Sequence, residues 1–240
     1  MTLLWGLSAC QDEAADAGRA ADNSTNGQGG SLARFAITGD YLYAVGFNDL
    51  KVYDIRQPEH PVATTTIPVG INIETIFPYQ NLLFIGSQTG MYIYQNNNPE
   101  QPQFLSRYDH IQSCDPVVAQ GNYAYVTLRD GTNCRFGSNL LDVIDISNPS
   151  QPQVVNSLLM FNPHGLGIDG STLFVCEGTQ GLKVFDVNEP RYPQLIQHLQ
   201  GFDAYDVIPN NGVLILTGAN GIFQYQYVPG QPLVFLSQLL

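Results

Sequence analysis

Five proline pairs recur along the chain at nearly regular intervals, and they constrain the fold more than any other feature of the sequence. In each pair the second proline follows the first by three residues; the pairs are Pro58/Pro61, Pro99/Pro102, Pro149/Pro152, Pro190/Pro193 and Pro229/Pro232. Successive first prolines are 41, 50, 41 and 39 residues apart. A period of about 40 residues is typical of propellers and solenoids. The sequence therefore predicts a repeat protein rather than one irregular domain.

Each repeat contains four short apolar runs separated by turn residues. The runs of the fourth repeat are Gly165 to Ile168, Thr172 to Cys176, Leu182 to Val187 and Gln194 to Gln200. Four strands in about 40 residues make one propeller blade. Because proline has no N–H to donate to a central ladder, each pair is expected to mark the corner between the third and fourth strands.

The predicted fold is an all-β protein, a β-propeller of about five four-stranded blades. The expected blades are residues 33–70, 71–110, 111–160, 161–200 and 201–240, within a domain of residues 32–240. No earlier segment offers an extra strand for the last blade. We therefore expect the ring to close by side-chain packing between the first and fifth blades.

The third strands carry a family resemblance. The run from Leu141 to Pro149 reads Leu-Asp-Val-Ile-Asp-Ile-Ser-Asn-Pro and resembles the signature of LVIVD-repeat proteins, and Leu182 to Val187 is nearly as close. The similarity covers roughly residues 33–240. It implies an exported bacterial surface β-propeller with no general enzymatic activity. Repeats two and five depart from the signature, since Gln95 and Gln226 stand where Asp usually closes the strand.

The formal net charge of −12, with only nine Lys and Arg residues, argues against a nucleic-acid partner. Affinity for a phosphate backbone requires basic side chains that release counterions. The acidity also argues against electrostatic binding to anionic lipid, and no stretch approaches the roughly 20 apolar residues of a spanning helix. Any membrane attachment is therefore expected to be covalent.

The segment Leu7-Ser8-Ala9-Cys10 resembles the lipobox of a bacterial lipoprotein, which predicts lipidation of Cys10. Residues 1–10 are then a signal remnant, and the lack of Lys or Arg before Cys10 suggests that the true start lies upstream. Residues 11–31 are polar and small, as in a flexible tether. The expected location is the outer membrane of the cell envelope, with the acidic run Gln11-Asp12-Glu13 suggesting surface exposure.

The third repeat is about nine residues longer than the others, and the surplus lies at residues 132–139. It contains Cys134, while Cys114 precedes the first strand of the same blade. In an exported protein such a pair predicts a disulfide, which would stabilise by about 3 kcal/mol; two free thiols are the alternative. Cys176 lies within an apolar strand and is expected to be a buried hydrophobic residue rather than a nucleophile.

One column of the repeat alignment, just before the innermost strand of each blade, contains four polar or ionisable residues. Its members are Ala33, Glu74, Asp115, His164 and Tyr205, and Arg34 and Asp206 occupy the next position. In a closed propeller this column rings one mouth of the central channel. The sequence thus predicts a ligand-binding rim of Glu74, Asp115, His164, Tyr205, Arg34 and Asp206. Two carboxylates and an imidazole could hold a divalent cation at the axis, although a hydrated rim without a ligand, and a purely structural His164, explain the same residues.

Two functions remain open at this level. The first is a non-enzymatic, lipid-anchored binding module for another envelope protein, a peptide or a glycan, with exposed Tyr and Phe side chains as the contact. The alternative is a metal-dependent hydrolase or lyase with its site at the axis, by analogy with metal-dependent lactonases that are propellers. A structural spacer fits the same residues.

Overall fold

The computed structural model describes residues 29–109, 116–130 and 139–240, which form five four-stranded antiparallel sheets. The predicted all-β propeller of five blades is confirmed. No helix long and apolar enough to span a membrane occurs among the residues that the structure describes. Cys10, Cys114 and Cys134 lie outside these ranges, so the lipidated cysteine and the disulfide stay predictions.

Twenty strands follow one another along the chain, four in each blade. Blade 1 contains β1 (Phe35–Thr38), β2 (Tyr41–Val45), β3 (Asp49–Asp54) and β4 (Val62–Pro68). Blade 2 contains β5 (Ile73–Tyr79), β6 (Leu82–Ser87), β7 (Gly90–Gln95) and β8 (Gln103–Asp109). Blade 3 contains β9 (Val117–Gln120), β10 (Tyr123–Leu128), β11 (Leu140–Asp145) and β12 (Gln153–Leu159). Blade 4 contains β13 (Leu166–Asp169), β14 (Thr172–Cys176), β15 (Leu182–Asp186) and β16 (Gln194–Leu199). Blade 5 contains β17 (Asp206–Asn210), β18 (Val213–Gly218), β19 (Gly221–Gln226) and β20 (Val234–Leu239).

The first strand of each blade lies nearest the axis, because first strands of neighbouring blades contact one another from blade 1 through blade 5. We call the face where the first strands begin the top face. The turns between second and third strands and the connections between blades lie there, since antiparallel strands alternate in direction. The proline corners lie on the opposite, bottom face.

Each proline corner is followed by a β-bulge, and the corners of blades 2, 3 and 4 accept a hydrogen bond from the blade before. In every blade the ladder between third and fourth strands shifts register once. The carbonyl of Pro99 accepts a hydrogen bond from the Tyr43 hydroxyl at 3.2 Å, and that of Pro190 accepts one from Tyr125 at 3.1 Å. The Ser106 hydroxyl donates to Pro149 in the same way. The recurring prolines thus position backbone acceptors at the interfaces between blades.

Neighbouring blades pack through alternate strand residues. We call the blade surface toward the next blade its leading face and the surface toward the previous blade its trailing face. The middle of each second strand carries a large leading-face side chain, and in blades 1 to 4 this residue is at most 1% exposed: Tyr43, Phe84, Tyr125 and Phe174. Truncating a buried aromatic ring costs about 3–5 kcal/mol. Four hydrophobic clusters join blades 1 and 2, 2 and 3, 3 and 4, and 4 and 5.

Among the described residues, the first and fifth blades share no cluster of fully buried hydrophobic residues, unlike the other neighbouring blades. We call the gap between the leading face of blade 5 and the trailing face of blade 1 the seam. Hydrogen bonds bridge it instead: the Asp206 carboxylate of blade 5 accepts from Ser31, which precedes blade 1. The second-strand side chains on the trailing face of blade 1 and on the leading face of blade 5 are consequently only half-buried.

Candidate functional site

The predicted rim residues within the described ranges lie just before or at the start of the first strands, on the top face, and none of them lines the axial cavity described below. Backbone hydrogen bonds join adjacent blades there, from the Ile76 N–H to the Ala33 carbonyl at 2.9 Å and from the Gly165 N–H to the Tyr205 carbonyl at 2.8 Å. Asp115 lies outside the described residues. The repeat alignment therefore located the mouth, while the contacts of each side chain depend on its own blade.

Glu74 and Arg34 are held by neighbours within their own blades. Glu74 is the extra residue of a bulge in β5, and its carboxylate accepts a hydrogen bond from the Gln88 amide at 3.1 Å. Gln88 in turn accepts from the Asn72 amide at 2.7 Å. The Arg34 guanidinium donates to the Gly46 carbonyl at 3.0 Å. A bulge redirects a side chain out of the alternating pattern, so Glu74 belongs to a local polar turn of blade 2.

His164 and Tyr205 come together across blades 4 and 5, with ring centroids 5.4 Å apart. A guanidinium nitrogen of Arg129 lies 3.1 Å from both ring nitrogens of His164. Burial, with a smaller effect of the Arg129 charge, lowers the pKa of His164 to about 4, although Asp203 opposes the shift. The Tyr205 hydroxyl donates to the Asp203 carboxylate at 3.3 Å. The imidazole is therefore neutral near pH 7 and lies beside a cation.

Asp206 binds the segment that leads into blade 1. Its carboxylate accepts from the Ser31 hydroxyl at 3.3 Å, and the Ser31 hydroxyl accepts from the Leu166 N–H at 2.7 Å. A Cβ at Gly30 or Gly165 would lie 2.1 or 2.2 Å from a carboxylate oxygen, so a side chain at either position would displace the Asp206 carboxylate. Burial raises the pKa of Asp206 to about 6, although hydrogen bonds from backbone N–H groups and Ser31 partly offset it. Gly30 and Ser31, the end of the predicted tether, are thus buried at the mouth.

A buried ion pair beside the mouth was not found by sequence reasoning. Glu177 is 1% exposed and lies 2.9 Å from the Lys183 ammonium, and its second oxygen accepts from the Phe161 N–H at 2.9 Å. The only sequence signal is a carboxylate directly after the apolar run that ends at Cys176, opposite a lysine across a tight turn. The pair fixes the loop that carries His164 into blade 4.

Metal binding and thiol chemistry find no support in the described residues. Across 29–109, 116–130 and 139–240 no group of three or more His, Cys, Asp or Glu side chains could hold a metal ion. Cys176 is fully buried, and burial raises its pKa well above the usual value. A thiolate is needed for nucleophilic attack, so Cys176 is the buried hydrophobic residue that the sequence predicted.

The axis below the mouth holds a cavity of about 280 Å³ with a mainly apolar side-chain lining. First-strand residues from all five blades form its wall, among them Ala36, Ile76, Val118, Leu166 and Val207. Gly30 and Ser31 also line it. The ionisable side chains therefore lie on the top face, while the side chains that line the channel are mainly apolar.

Comparison with known proteins is consistent with this architecture. A family model of the LVIVD repeat matches residues 29–66 and 113–159, while a search of curated proteins finds no match. A functionally unknown protein from Desulfotomaculum acetoxidans is 11% identical with a TM-score of 0.70, over 85% of this chain and 68% of that chain. The periplasmic gluconolactonase of Pseudomonas aeruginosa is 14% identical with a TM-score of 0.63, over 84% and 67% of the two chains.

The computationally designed Ika8 protein is 13% identical with a TM-score of 0.61 over 85% of this chain, and the chain spans 60% of the length of that protein. At such identities the likeness shows the fold alone. Together with the five blades it shows a β-propeller fold, in which two stretches match the LVIVD repeat.

Proposed function

We propose that the protein is a non-enzymatic binding module of the bacterial cell envelope. In this proposal the lipidated Cys10 anchors it to the outer membrane, and the top face of the propeller binds another envelope protein, a peptide or a glycan. The anchor follows from the lipobox-like segment before Cys10. The binding role follows from the surface described next.

Large apolar side chains are exposed on the top face on both sides of the mouth. Phe47 and Ile71 come from turns of blade 1 and are 64% and 68% exposed. Leu159 ends β12, Phe161 lies in the connection between blades 3 and 4, and they are 84% and 63% exposed. Single exposed apolar residues are ordinary, but several on one face are typical of a binding surface. These four exposed apolar side chains, placed on one face around the mouth, are the observation that carries the proposal.

The same face also offers polar groups around the mouth. Arg34 is exposed, and Tyr205 is 37% exposed with its hydroxyl on Asp203. An apolar contact ringed by such groups resembles the centre and rim of a protein interface. Because the turns extend from hydrogen-bonded hairpins, little ordering entropy is lost on binding.

Capture from an outer-membrane fraction tests the binding role. The wild type should retain a partner that the double variant Phe47→Ser, Ile71→Ser loses, because apolar anchors carry much of an interface energy. The matched control is Val62→Ser, Leu236→Ser, which removes exposed apolar side chains from outer strands instead. Equal capture by all three proteins, or no capture by any, would refute a role for the top face.

Fractionation tests the anchor separately. The wild type should partition with membranes and carry the mass of acyl chains, whereas Cys10→Ala should be released in soluble form. A wild type without added acyl mass would refute the lipoprotein assignment and leave the top-face result unaffected.

A further inference from the structure

The axial cavity is large enough to hold a small organic molecule. Its volume of about 280 Å³ is roughly twice that of an engineered apolar cavity of about 150 Å³ that takes up benzene. None of the described residues that line it is charged, and most are aromatic, aliphatic or proline residues. Protein interiors retain few voids larger than a water molecule. A cavity of this size and composition therefore has the properties of a ligand site.

Two prolines make the first strands less polar where they line the cavity. Pro78 pairs with Leu83 and Pro209 pairs with Leu214, in each case one step before a hairpin turn. The backbone nitrogen at this step of an antiparallel ladder points away from the second strand and therefore toward the axis. Because proline has no N–H, the two strands present ring carbons there instead of hydrogen-bond donors.

Ser31 is the one polar side chain among the described lining residues, and its hydroxyl is already satisfied. The hydroxyl donates to the Asp206 carboxylate at 3.3 Å and accepts from the Leu166 N–H at 2.7 Å. An ordered water needs about two to four polar partners. Side chains of this kind favour an apolar occupant over a file of ordered waters.

The cavity meets solvent at the seam. First strands of neighbouring blades contact one another from blade 1 to blade 5, but β17 and β1 make few direct contacts among the described residues. Phe35 pairs with Ala44 on the trailing face of blade 1, opposite to the buried Ala36. Its ring lines the cavity and is 60% exposed, so it lies where the cavity opens. Gly30 and Ser31 are buried at the top of the same cavity.

Charge restricts the occupant to neutral molecules. Asp206 lies directly behind the wall, since its carboxylate accepts from Ser31, and the chain has a net charge of −12. An anion would be repelled, and it would lose its hydration without a cationic side chain among the described lining residues. A cation would lose its hydration too, because Asp206 already accepts hydrogen bonds from Ser31 and from backbone N–H groups.

We propose that the axial cavity binds one small, neutral, mainly apolar molecule, which enters through the seam beside Phe35. Phe35 and Phe77 then contact the molecule from blades 1 and 2, while Leu166 and Val207 contact it from blades 4 and 5. The proposal does not depend on the lipid anchor or on the top-face partner.

Titration of the full chain with two matched fluorescent probes provides the first test. N-phenyl-1-naphthylamine is neutral, and 8-anilino-1-naphthalenesulfonate carries the same ring system with an added sulfonate. The neutral probe should bind saturably at one site per chain, and the anionic probe should bind at least about tenfold more weakly, because the wall offers its sulfonate no cation. Absence of binding by the neutral probe would mean a water-filled channel, and equal binding of both probes would mean adsorption to exposed apolar surface. Either result would overturn the proposal.

Two serine variants of blade 1 locate the bound probe. Phe35→Ser should weaken binding of the neutral probe about tenfold, because it removes a ring from the wall of the cavity. Phe47→Ser is the matched control, since Phe47 is 64% exposed in a turn of the same blade and does not line the cavity. It should bind the probe like the wild type. Equal losses in the two variants would contradict binding in the cavity.

A variant on the far side of the axis separates the cavity from the outer part of the seam. Phe77→Leu keeps an apolar side chain and removes a ring that lines the cavity from blade 2, so it should weaken the neutral probe severalfold. Circular dichroism and urea unfolding check that the variant is folded. Unchanged affinity in folded Phe77→Leu would place the probe outside the axis and overturn the proposal. The top-face double variant Phe47→Ser, Ile71→Ser should keep full probe binding, so this site and the top-face surface fail or hold independently.

Discussion

The interface between blades 4 and 5 and the seam between blades 5 and 1 involve equivalent positions of the strands. The side chains at these positions are fully buried at the interface and only half-buried at the seam. Phe174 on the leading face of blade 4 is fully buried, and its ring lies 5.2 Å from that of Tyr227 at an interplanar angle of 73°. Ile215 occupies the same position one blade later and is half-buried. The alternation of apolar residues therefore gives a blade the ability to pack, but burial requires a complementary neighbour.

The largest expected difference between the two regions is in free energy of unfolding. Phe174→Ala should cost about 3–5 kcal/mol, because it removes a buried ring and leaves a cavity between two blades. Ile215→Ala should cost about 1 kcal/mol, since much of that side chain already contacts water. Urea unfolding of both variants measures the difference. Equal costs would mean that the seam is packed like an internal interface.

The second expected effect concerns the hydrogen bonds that bridge the seam, through the pH dependence of Asp206. Its pKa of about 6 in the fold lies above the ordinary aspartate value of 3.8 that it approaches when unfolded. The carboxyl therefore favours folding below about pH 4, and this contribution is lost as pH rises to about 6. A difference of about two pKa units corresponds to roughly 3 kcal/mol.

Asp206→Asn removes this titration, so the stability of the wild type relative to the variant should fall as pH rises from 4 to 6. Urea unfolding at a series of pH values measures the difference. A constant difference would show that Asp206 is hydrated and that the bridge to Ser31 is loose. Ser31→Ala is the companion variant, since it keeps the titratable carboxyl and removes only the hydroxyl that donates to it.

His164 is expected to act in the opposite direction within the same pH range. Its pKa of about 4 lies below the value of 6.5 for a free imidazole. His164 makes its full contribution to the free energy of unfolding above pH 6.5, and this contribution is lost as pH falls toward 4. His164→Gln should therefore make the stability profile fall more steeply with rising pH, because the Asp206 titration is then unopposed. An unchanged profile would contradict the burial of the imidazole beside Arg129.

The sequence predicts the blades well because their determinants are local. Proline corners, glycine turns and alternating apolar residues act within about ten residues, and Thr172–Cys176 was located without error. The other strands of blade 4 were placed within one residue of their bounds. The seam could not be predicted in this way, because Ile215 and Leu42 continue the same local pattern as the buried residues of the internal blades.

The candidate site is less predictable because its contacts join distant parts of the chain. Alignment of the repeats placed Glu74, His164, Tyr205 and Asp206 at the mouth. The partners are set by tertiary structure: Ser31 and Asp206 are 175 residues apart, and Arg129 and His164 are 35 apart. A one-residue bulge gives Glu74 partners in its own blade. The alignment thus predicted where these residues lie relative to the first strands. Their hydrogen-bond partners and protonation states depend on tertiary contacts that the alignment does not contain.

The smallest expected difference between the internal interfaces and the seam involves a single hydroxyl group. The Tyr125 hydroxyl donates to the Pro190 carbonyl of the next blade at 3.1 Å. Tyr125→Phe keeps the ring and removes the donor, so it should cost about 1 kcal/mol, the net value of a typical hydrogen bond. Tyr53→Phe on the free trailing face of blade 1 is the matched control and should change stability by less than about 0.5 kcal/mol. If both substitutions cost the same, the corner hydrogen bonds do not stabilise the contact between blades, and packing of the apolar faces alone separates the internal interfaces from the seam.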